Sequence, residues 1–420
     1  MPGYRKKQNT CAGLKPATVD FCLSLNFLLL RKAESVRVSP VRLHDKPRCW
    51  VEIDLGTLER NLKRIRSGLP DYIQYVAVVK ADAYGHGMKQ TVSRLMHCGA
   101  DLFAVANLRE AEEIREIGSG WPILILSAIL PEEDKHIAKL QVIPTISCEE
   151  ELRRFQKAAQ EAGKRISVHM KVDTGMGRIG VWYEDAKALC LKILKCADLQ
   201  LDGIFTHFSS ADCDAAFTQL QRNRFLDLLK TLPLPTDRKL LIHCDNSAGL
   251  ESLPSNGPLN GVRIGLLQFG VLPYPDSLLA DVCVEPVLSF HTRVGLIKEL
   301  PEGCYISYGK TYQLKKRSKI AVLTAGYADG IPTALSNEAE VLIHGKRCRV
   351  LGRVTMDQTI VDISDIPGVE CGDIATLIGT QEGERISVNE FSSKAGEIPW
   401  ESFVSISKRV QRIYKTDTGF

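Results

Sequence analysis

From residue 75 onward, short apolar runs alternate with amphipathic segments. The runs lie at 75–79, 102–106, 123–126, 142–146, 166–172, 201–207, 241–244 and 262–265. They are rich in Val, Ile and Leu and too short to stand as free helices, which is how parallel strands covered on both faces read. Between them, Met88, Val92, Leu95 and Met96 share one helical face, as do Leu152, Phe155 and Ala159. Segments 186–196 and 217–232 repeat the pattern. Eight strand–helix alternations predict a (β/α)8 barrel, with a doubly wound sheet as the rival arrangement.

An earlier strand at 50–55 leads into a helix marked by Leu58, Leu62 and Ile65. Past residue 284 the pattern changes. Runs at 286–300, 319–328, 339–354 and 373–378 are strand-like, punctuated by Gly and Pro, and long helical patterns are scarce. This predicts a second, mainly antiparallel β domain. The expected division is an extension at 1–46, a barrel at 47–284 and a β domain at 285–420.

The extension carries Arg5, Lys6, Lys7, Lys15, Arg31, Lys32, Arg37 and Arg42 against Asp20 and Glu34. A disordered or processed extension is expected, with a targeting segment as the alternative. The net charge of +4 over 420 residues gives no reason to expect nucleic acid or an anionic membrane. No apolar run approaches a membrane span. The 13 cysteines form no CxxC pair, so reduced thiols in a cytoplasmic compartment are expected and no metal site.

Barrel active sites sit where strands end. The first run ends in Lys80, within Val79-Lys80-Ala81-Asp82-Ala83-Tyr84-Gly85-His86-Gly87. A lysine closing an apolar run is desolvated, and its amine becomes a better nucleophile. A surface lysine at a strand end is the plain alternative. Later runs lead into Lys171-Val172-Asp173-Thr174-Gly175-Met176-Gly177-Arg178, Thr206-His207-Phe208, His243-Cys244-Asp245-Asn246-Ser247 and Arg263-Ile264-Gly265-Leu266. The loops after the last two barrel strands are a recurrent phosphate site. The Ser247 hydroxyl and the Gly265 and Leu266 N–H groups are suitable phosphate donors.

From about Arg48 to its end, the chain resembles the alanine racemases in these separated motifs. The resemblance implies a barrel plus β domain carrying pyridoxal 5'-phosphate (PLP), and interconversion of L- and D-alanine, a cell-wall precursor supply. It implies that Lys80 holds PLP through its amine, with Tyr84, Asn246, Ser247, Gly265 and Leu266 around the phosphate. Arg178 would meet the cofactor's phenolic oxygen and the substrate carboxylate. The lysine matching Lys171 is one that carries a carbamate in the family. His207 would lie near the pyridine ring, and Arg263, supported by His243, would face the ring nitrogen. Arginine does not readily yield a proton, so the ring stays unprotonated and draws electrons less strongly. That favours proton exchange over transamination.

Racemisation needs one base on each face of a planar species. The resemblance implies Lys80 for the D-enantiomer and Tyr308, from the neighbouring subunit of a homodimer, for the L-enantiomer. A tyrosine hydroxyl yields its proton reluctantly and needs help, for which His207 and Arg263 would serve as a relay. Met356 and Asp357 would hold the substrate carboxylate, and Asp212, Tyr327 and Arg353 would line the entrance. A hairpin turn is the plain alternative for Ala328-Asp329-Gly330. The chain departs from the family pattern at Lys408, where many members carry a tyrosine, and at Thr333, where they carry an arginine. A recharged gate predicts some turnover of serine. The competing expectations are a decarboxylase on the same fold and a non-catalytic PLP carrier.

Overall fold

A computed structural model of the chain describes residues 46–252, 257–272 and 282–416. The expected extension at 1–46 lies almost wholly outside them.

Strand β1 (Cys49–Asp54) is followed by the helix Leu55–Ser67. Its Asp54 carboxylate accepts the Thr57 N–H at 2.8 Å, satisfying a donor that the helix start leaves free. Leu58, Leu62 and Ile65 form its buried face, as the spacing predicts. Then come β2 (Gln74–Val78), β3 (Leu102–Val105), β4 (Ile123–Ile125), β5 (Thr145–Ile146) and β6 (Ile166–Asp173). The short β7 (Val181–Trp182) pairs with β6, and β8 (Leu199–Phe205), β9 (Leu241–Asn246) and β10 (Gly261–Ile264) follow.

These strands pair in parallel in the order β4-β3-β2-β10-β9-β8-β6-β5, with β7 as a flap. A parallel bridge between Leu124 and Ile143, just before β5, nearly closes the ring. A doubly wound sheet would leave two open edges. The barrel is the observed arrangement, and its strands are buried along almost their whole length.

The second sheet starts from β11 (Leu288–Leu300), and β12 (Tyr305–Ile306) and β13 (Tyr312–Gln313) form a small two-stranded sheet of their own. It adds β14 (Ser318–Leu323), β15 (Glu340–Ile343), β16 (Lys346–Arg349), β17 (Thr359–Asp362), β18 (Ile374–Gln381), β19 (Glu384–Ile386) and β20 (Gln411–Lys415). Its spine runs β16-β15-β18-β11-β1-β20. Strand β1 lies here, antiparallel to β11 and parallel to β20, although it precedes the barrel in sequence. The expected single run at 339–354 is a hairpin, turned at His344 and Gly345, both at positive φ. Two short helices, Val388–Ala395 and Pro399–Ser405, interrupt the sheet pattern. Among the described residues no helix is long and apolar enough to cross a membrane.

Candidate active site

A cavity of about 420 Å³ opens at the C-terminal ends of the barrel strands. It is lined by Lys80, Tyr84, Lys171, Arg178, His207, Asp212, Asn246, Ser247, Arg263, Gly265 and Leu266, brought together from strand ends and the segments that follow them.

Lys80 follows β2 and opens a left-handed turn. Ala81, Asp82, Ala83 and Tyr84 all have φ between 53° and 55°. Each such residue costs about 1–2 kcal/mol, so the turn needs outside support. Glu110 supplies it. One carboxylate oxygen accepts the Ala81 N–H at 2.8 Å and the other accepts the Ala106 N–H at 2.7 Å. The Asp82 carboxylate accepts the Met88 N–H at 2.6 Å. Phe403 and Arg412 from the end of the chain close over Gly85. A Cβ there would come within 2.4 Å of the Phe403 carbonyl, and the Gly85 carbonyl accepts from Arg412 at 3.3 Å. Burial, then the Arg178 charge, pull the Lys80 amine below the ordinary lysine range.

At the other side of the cavity, the Ser247 hydroxyl accepts the Gly265 N–H at 3.1 Å. Tyr84 packs so close to Gly265 that a Cβ there would lie 2.8 Å from its hydroxyl. Gly265 therefore leaves a small cradle edged by hydroxyls and backbone N–H groups, which suits a phosphate. Behind it, Arg222 and Asp245 form a buried ion pair at 2.5 Å. Arg222 also reaches the Gly249 carbonyl at 3.3 Å, and the Asn246 side chain accepts the Gly249 N–H at 2.9 Å. The pair thus fixes the loop that carries Ser247.

Arg263 is buried on β10. Its Nη1 donates to His243 Nδ1 at 2.8 Å. Its Nη2 shares two hydrogens among three acceptors, the Thr206 and Cys244 carbonyls at 2.9 Å each and His207 Nδ1 at 3.0 Å. The Nε–H is the donor left over among the described residues, and it is available to an acceptor such as a pyridine nitrogen. Burial lowers the Arg263 guanidinium to about 10, so it stays charged at neutral pH. Burial and the same guanidinium hold His207 and His243 well below the usual histidine range. Lys171 is buried among Arg263, Arg178 and Lys80, and burial first, then those charges, bring its amine down to about 7.

Arg178 follows a loop in which the Asp173 carboxylate accepts the N–H groups of Gly175, Met176 and Gly177, each at 2.9 Å. The residues expected from the β domain lie elsewhere. Tyr308 is 71 % exposed, and Tyr327 and Met356 are also exposed. Ser307 donates to the Arg353 carbonyl at 2.6 Å, and the Tyr327 N–H donates to the Thr355 carbonyl at 2.9 Å. Arg409 links Asp329 at 3.0 Å and Asp357 at 2.8 Å. Tyr308, Tyr327, Arg353, Met356 and Asp357 thus share one exposed patch outside the cavity's described lining. Residues 328–330 form no hairpin: the Asp329 carboxylate accepts the Gly326 N–H and ties the turn to Arg409. Lys408 is exposed and also outside that lining, whereas Trp400, on the helix Pro399–Ser405, contributes to it. Trp400, Glu110 and the Arg222–Asp245 pair were not found from the sequence. Only Glu110 had a usable signal, the Asn107-x-x-Glu110 spacing of a capping box.

Two family models match the chain: the alanine racemase N-terminal domain over residues 53–273 and the alanine racemase C-terminal domain over 287–414. This chain belongs to the alanine racemase family. Relatives named alanine racemase include one from Halothermothrix orenii, 39% identical over 88% of this chain and 97% of its own length. Another, from Methylacidiphilum infernorum, is 40% identical over 88% and 93%. Among solved structures, the alanine racemase of D-cycloserine-producing Streptomyces lavendulae matches with a TM-score of 0.83 at 30% identity, over 88% of this chain and 98% of that one. The Clostridium difficile 630 alanine racemase matches with 0.81 at 31%, over 89% and 97%. The activity for which these relatives are named is an isomerisation.

Proposed function

We propose that this member of the alanine racemase family interconverts L- and D-alanine with bound PLP, using Lys80 and the Tyr308 of a second copy as bases on opposite faces. The observation that carries the reading is Arg263. It is held between His243 and His207 with one N–H left over, in the same cavity as Lys80 and the Gly265 cradle. That set fits PLP at both ends, phosphate and ring nitrogen. When bound, PLP supplies an electron sink that acidifies the substrate's Cα–H.

The chain's own residues do the rest. The Ser247 and Tyr84 hydroxyls and the Leu266 N–H would hold the phosphate, with the Gly265 N–H fixing the Ser247 hydroxyl and Asn246 shaping the loop. Arg263 stays charged and leaves the ring nitrogen unprotonated. That limits electron withdrawal and disfavours decarboxylation or transamination. Arg178 neutralises the phenolic oxygen and orients the substrate carboxylate, which Met356 and Asp357 of the second copy also bind through their backbone. Lys80, with its lowered amine, moves the proton of D-alanine, and Tyr308 moves that of L-alanine. His207 accepts from Arg263 at Nδ1, so its Nε2 carries the proton and offers a donor to the tyrosine oxygen. Asp212, Tyr327, Arg353 and Lys408 shape the entrance.

The reading extends to a homodimer, because Tyr308 stands exposed and outside the cavity of its own chain. It extends to a cytoplasmic supply of D-alanine for a cell wall, supported by the described cysteines being free thiols. A carrier would leave the exposed Tyr308–Met356 patch without a role.

The test is exchange of each alanine enantiomer in heavy water, with wild type beside Lys80→Ala and Tyr308→Phe. Interconversion by wild type, with each variant losing mainly its own proton transfer, supports the reading. A PLP-loaded wild type that exchanges no α-proton on either enantiomer sinks it. Serine is expected to turn over more slowly than alanine, and no detectable serine racemisation would remove that part.

A further inference from the structure

We infer that His169, which lies outside the set above, is a positioning residue that sets the proton arrangement of Arg263 from the far side of His243. The inference rests on the reading of Arg263 as the partner of the ring nitrogen.

His169 sits on β6, buried, and its Nδ1 lies 3.2 Å from His243 Nε2. His243 Nδ1 in turn lies 2.8 Å from Arg263 Nη1, and His207 Nδ1 lies 3.0 Å from Arg263 Nη2. Arginine has only donors. Both Nδ1 atoms must therefore be bare acceptors, and both imidazoles carry their proton on Nε2. His243 then needs an acceptor on its far side, and His169 Nδ1 is placed to be one. Burial keeps His169 neutral at neutral pH, and an imidazole that accepts at Nδ1 carries its proton on Nε2. The chain His169, His243, Arg263, His207 thus admits one proton arrangement.

Packing holds that chain in place. Phe205 stacks on His243 at 4.8 Å with ring planes 6° apart. A Cβ at Gly203 would lie 2.5 Å from His169 Cε1 and Nε2, so the imidazole occupies space that only glycine leaves open. Without the His169 acceptor, His243 Nε2–H is stranded in the core. The opposite tautomer would aim Nδ1–H at Arg263. The first case costs a buried unpaired donor, and the second takes from the guanidinium the Nδ1 acceptor that fixes its aim at the cofactor.

The test uses PLP-loaded protein with 15N-labelled histidines. Long-range proton–nitrogen spectra at neutral pH should give His243 and His207 as Nε2–H tautomers in wild type. His169→Leu should broaden or mix the His243 tautomer, alter the absorbance of the bound cofactor and lower kcat about tenfold with KM little changed, the scale of one stranded buried donor. His169→Asn, whose amide oxygen replaces the acceptor, should recover most of that loss. A wild-type His243 protonated on Nδ1 overturns the inference without any variant. So does a folded His169→Leu protein with wild-type spectra and kcat. If wild type does not racemise alanine, the catalytic reading fails, and the tautomer spectra still decide the His169 arrangement.

Discussion

The barrel cavity and the exposed patch of the second domain hold the two halves of one proposed site under opposite conditions. In the cavity and just behind it, Arg263, Lys171 and His243 are buried, and Arg263 and His243 are held in place by hydrogen bonds. Burial lowers the affinity of Lys80, Lys171, His207 and His243 for a proton. On the patch, Tyr308, Tyr327 and Met356 face solvent. A base built inside one chain has its environment ready before substrate arrives. A base built on the surface acquires its environment only when a second copy covers it. On the proposed two-copy site, the difference makes the second half of the chemistry conditional on assembly.

The most severe break of this contrast is at the bases themselves. Lys80→Ala and Tyr308→Phe should each lower racemisation by about 10²–10⁴-fold, the usual contribution of a positioned base. Mixing the two inactive proteins should restore activity, because one mixed site joins an intact Lys80 to an intact Tyr308. Steady-state rates on the mixture check this, and no recovery despite subunit exchange argues against a shared site.

Next is the buried pair behind the phosphate cradle. Arg222→Met leaves Asp245 as an uncompensated buried charge and should cost about 3–5 kcal/mol, read from urea unfolding. An exposed pair such as Lys230 with Asp227 should change stability by about 1 kcal/mol or less. Equal effects would remove the distinction between the two environments.

Glu110→Gln should weaken the left-handed turn. An amide oxygen cannot replace two carboxylate oxygens that each accept a backbone N–H, so about 1–3 kcal/mol of stability is expected to go, with PLP retention falling alongside. Unchanged thermal unfolding and PLP retention would mean that the turn is held by other contacts.

The mildest test concerns Lys171. Its amine, lowered to about 7, is mostly neutral above that pH and mostly protonated below it. Only the neutral amine attacks carbon dioxide. With 13C-labelled carbon dioxide, a carbamate signal should therefore appear at about pH 8 and fade at about pH 6, and Lys171→Ala should abolish it. A signal that ignores pH would contradict the lowered amine.

Much of this was legible in the sequence. Short Val-, Ile- and Leu-rich runs gave the barrel strands because buried parallel strands need apolar side chains on both faces. Lys80 was legible because it closes an apolar run, and the other cavity residues because they lie in or just after later runs in motifs that resemble the family's. Membership of β1 in the second sheet was not, since its partners β11 and β20 lie far away along the chain and local periodicity carries no pairing information. β5 is two residues long and closes the ring through Ile143, below what a pattern resolves. Arg222 and His169 act through contacts with distant backbone or side chains, so their residue types alone gave no reason to select them, and the capping-box spacing of Glu110 marks a helix start rather than its hold on the Lys80 turn.

The parallel pairing of β1 with β20 has a consequence for the order of manufacture. Of the described strands, the last to be made is the neighbour of the first, and Phe403 and Arg412 of that late segment close over the Lys80 turn. A nascent chain has every barrel strand in hand long before this clamp exists. The lysine loop is therefore completed only once residues 403–412 have been made, and a chain cut short before residue 403 carries the reactive amine without the part that holds it in place.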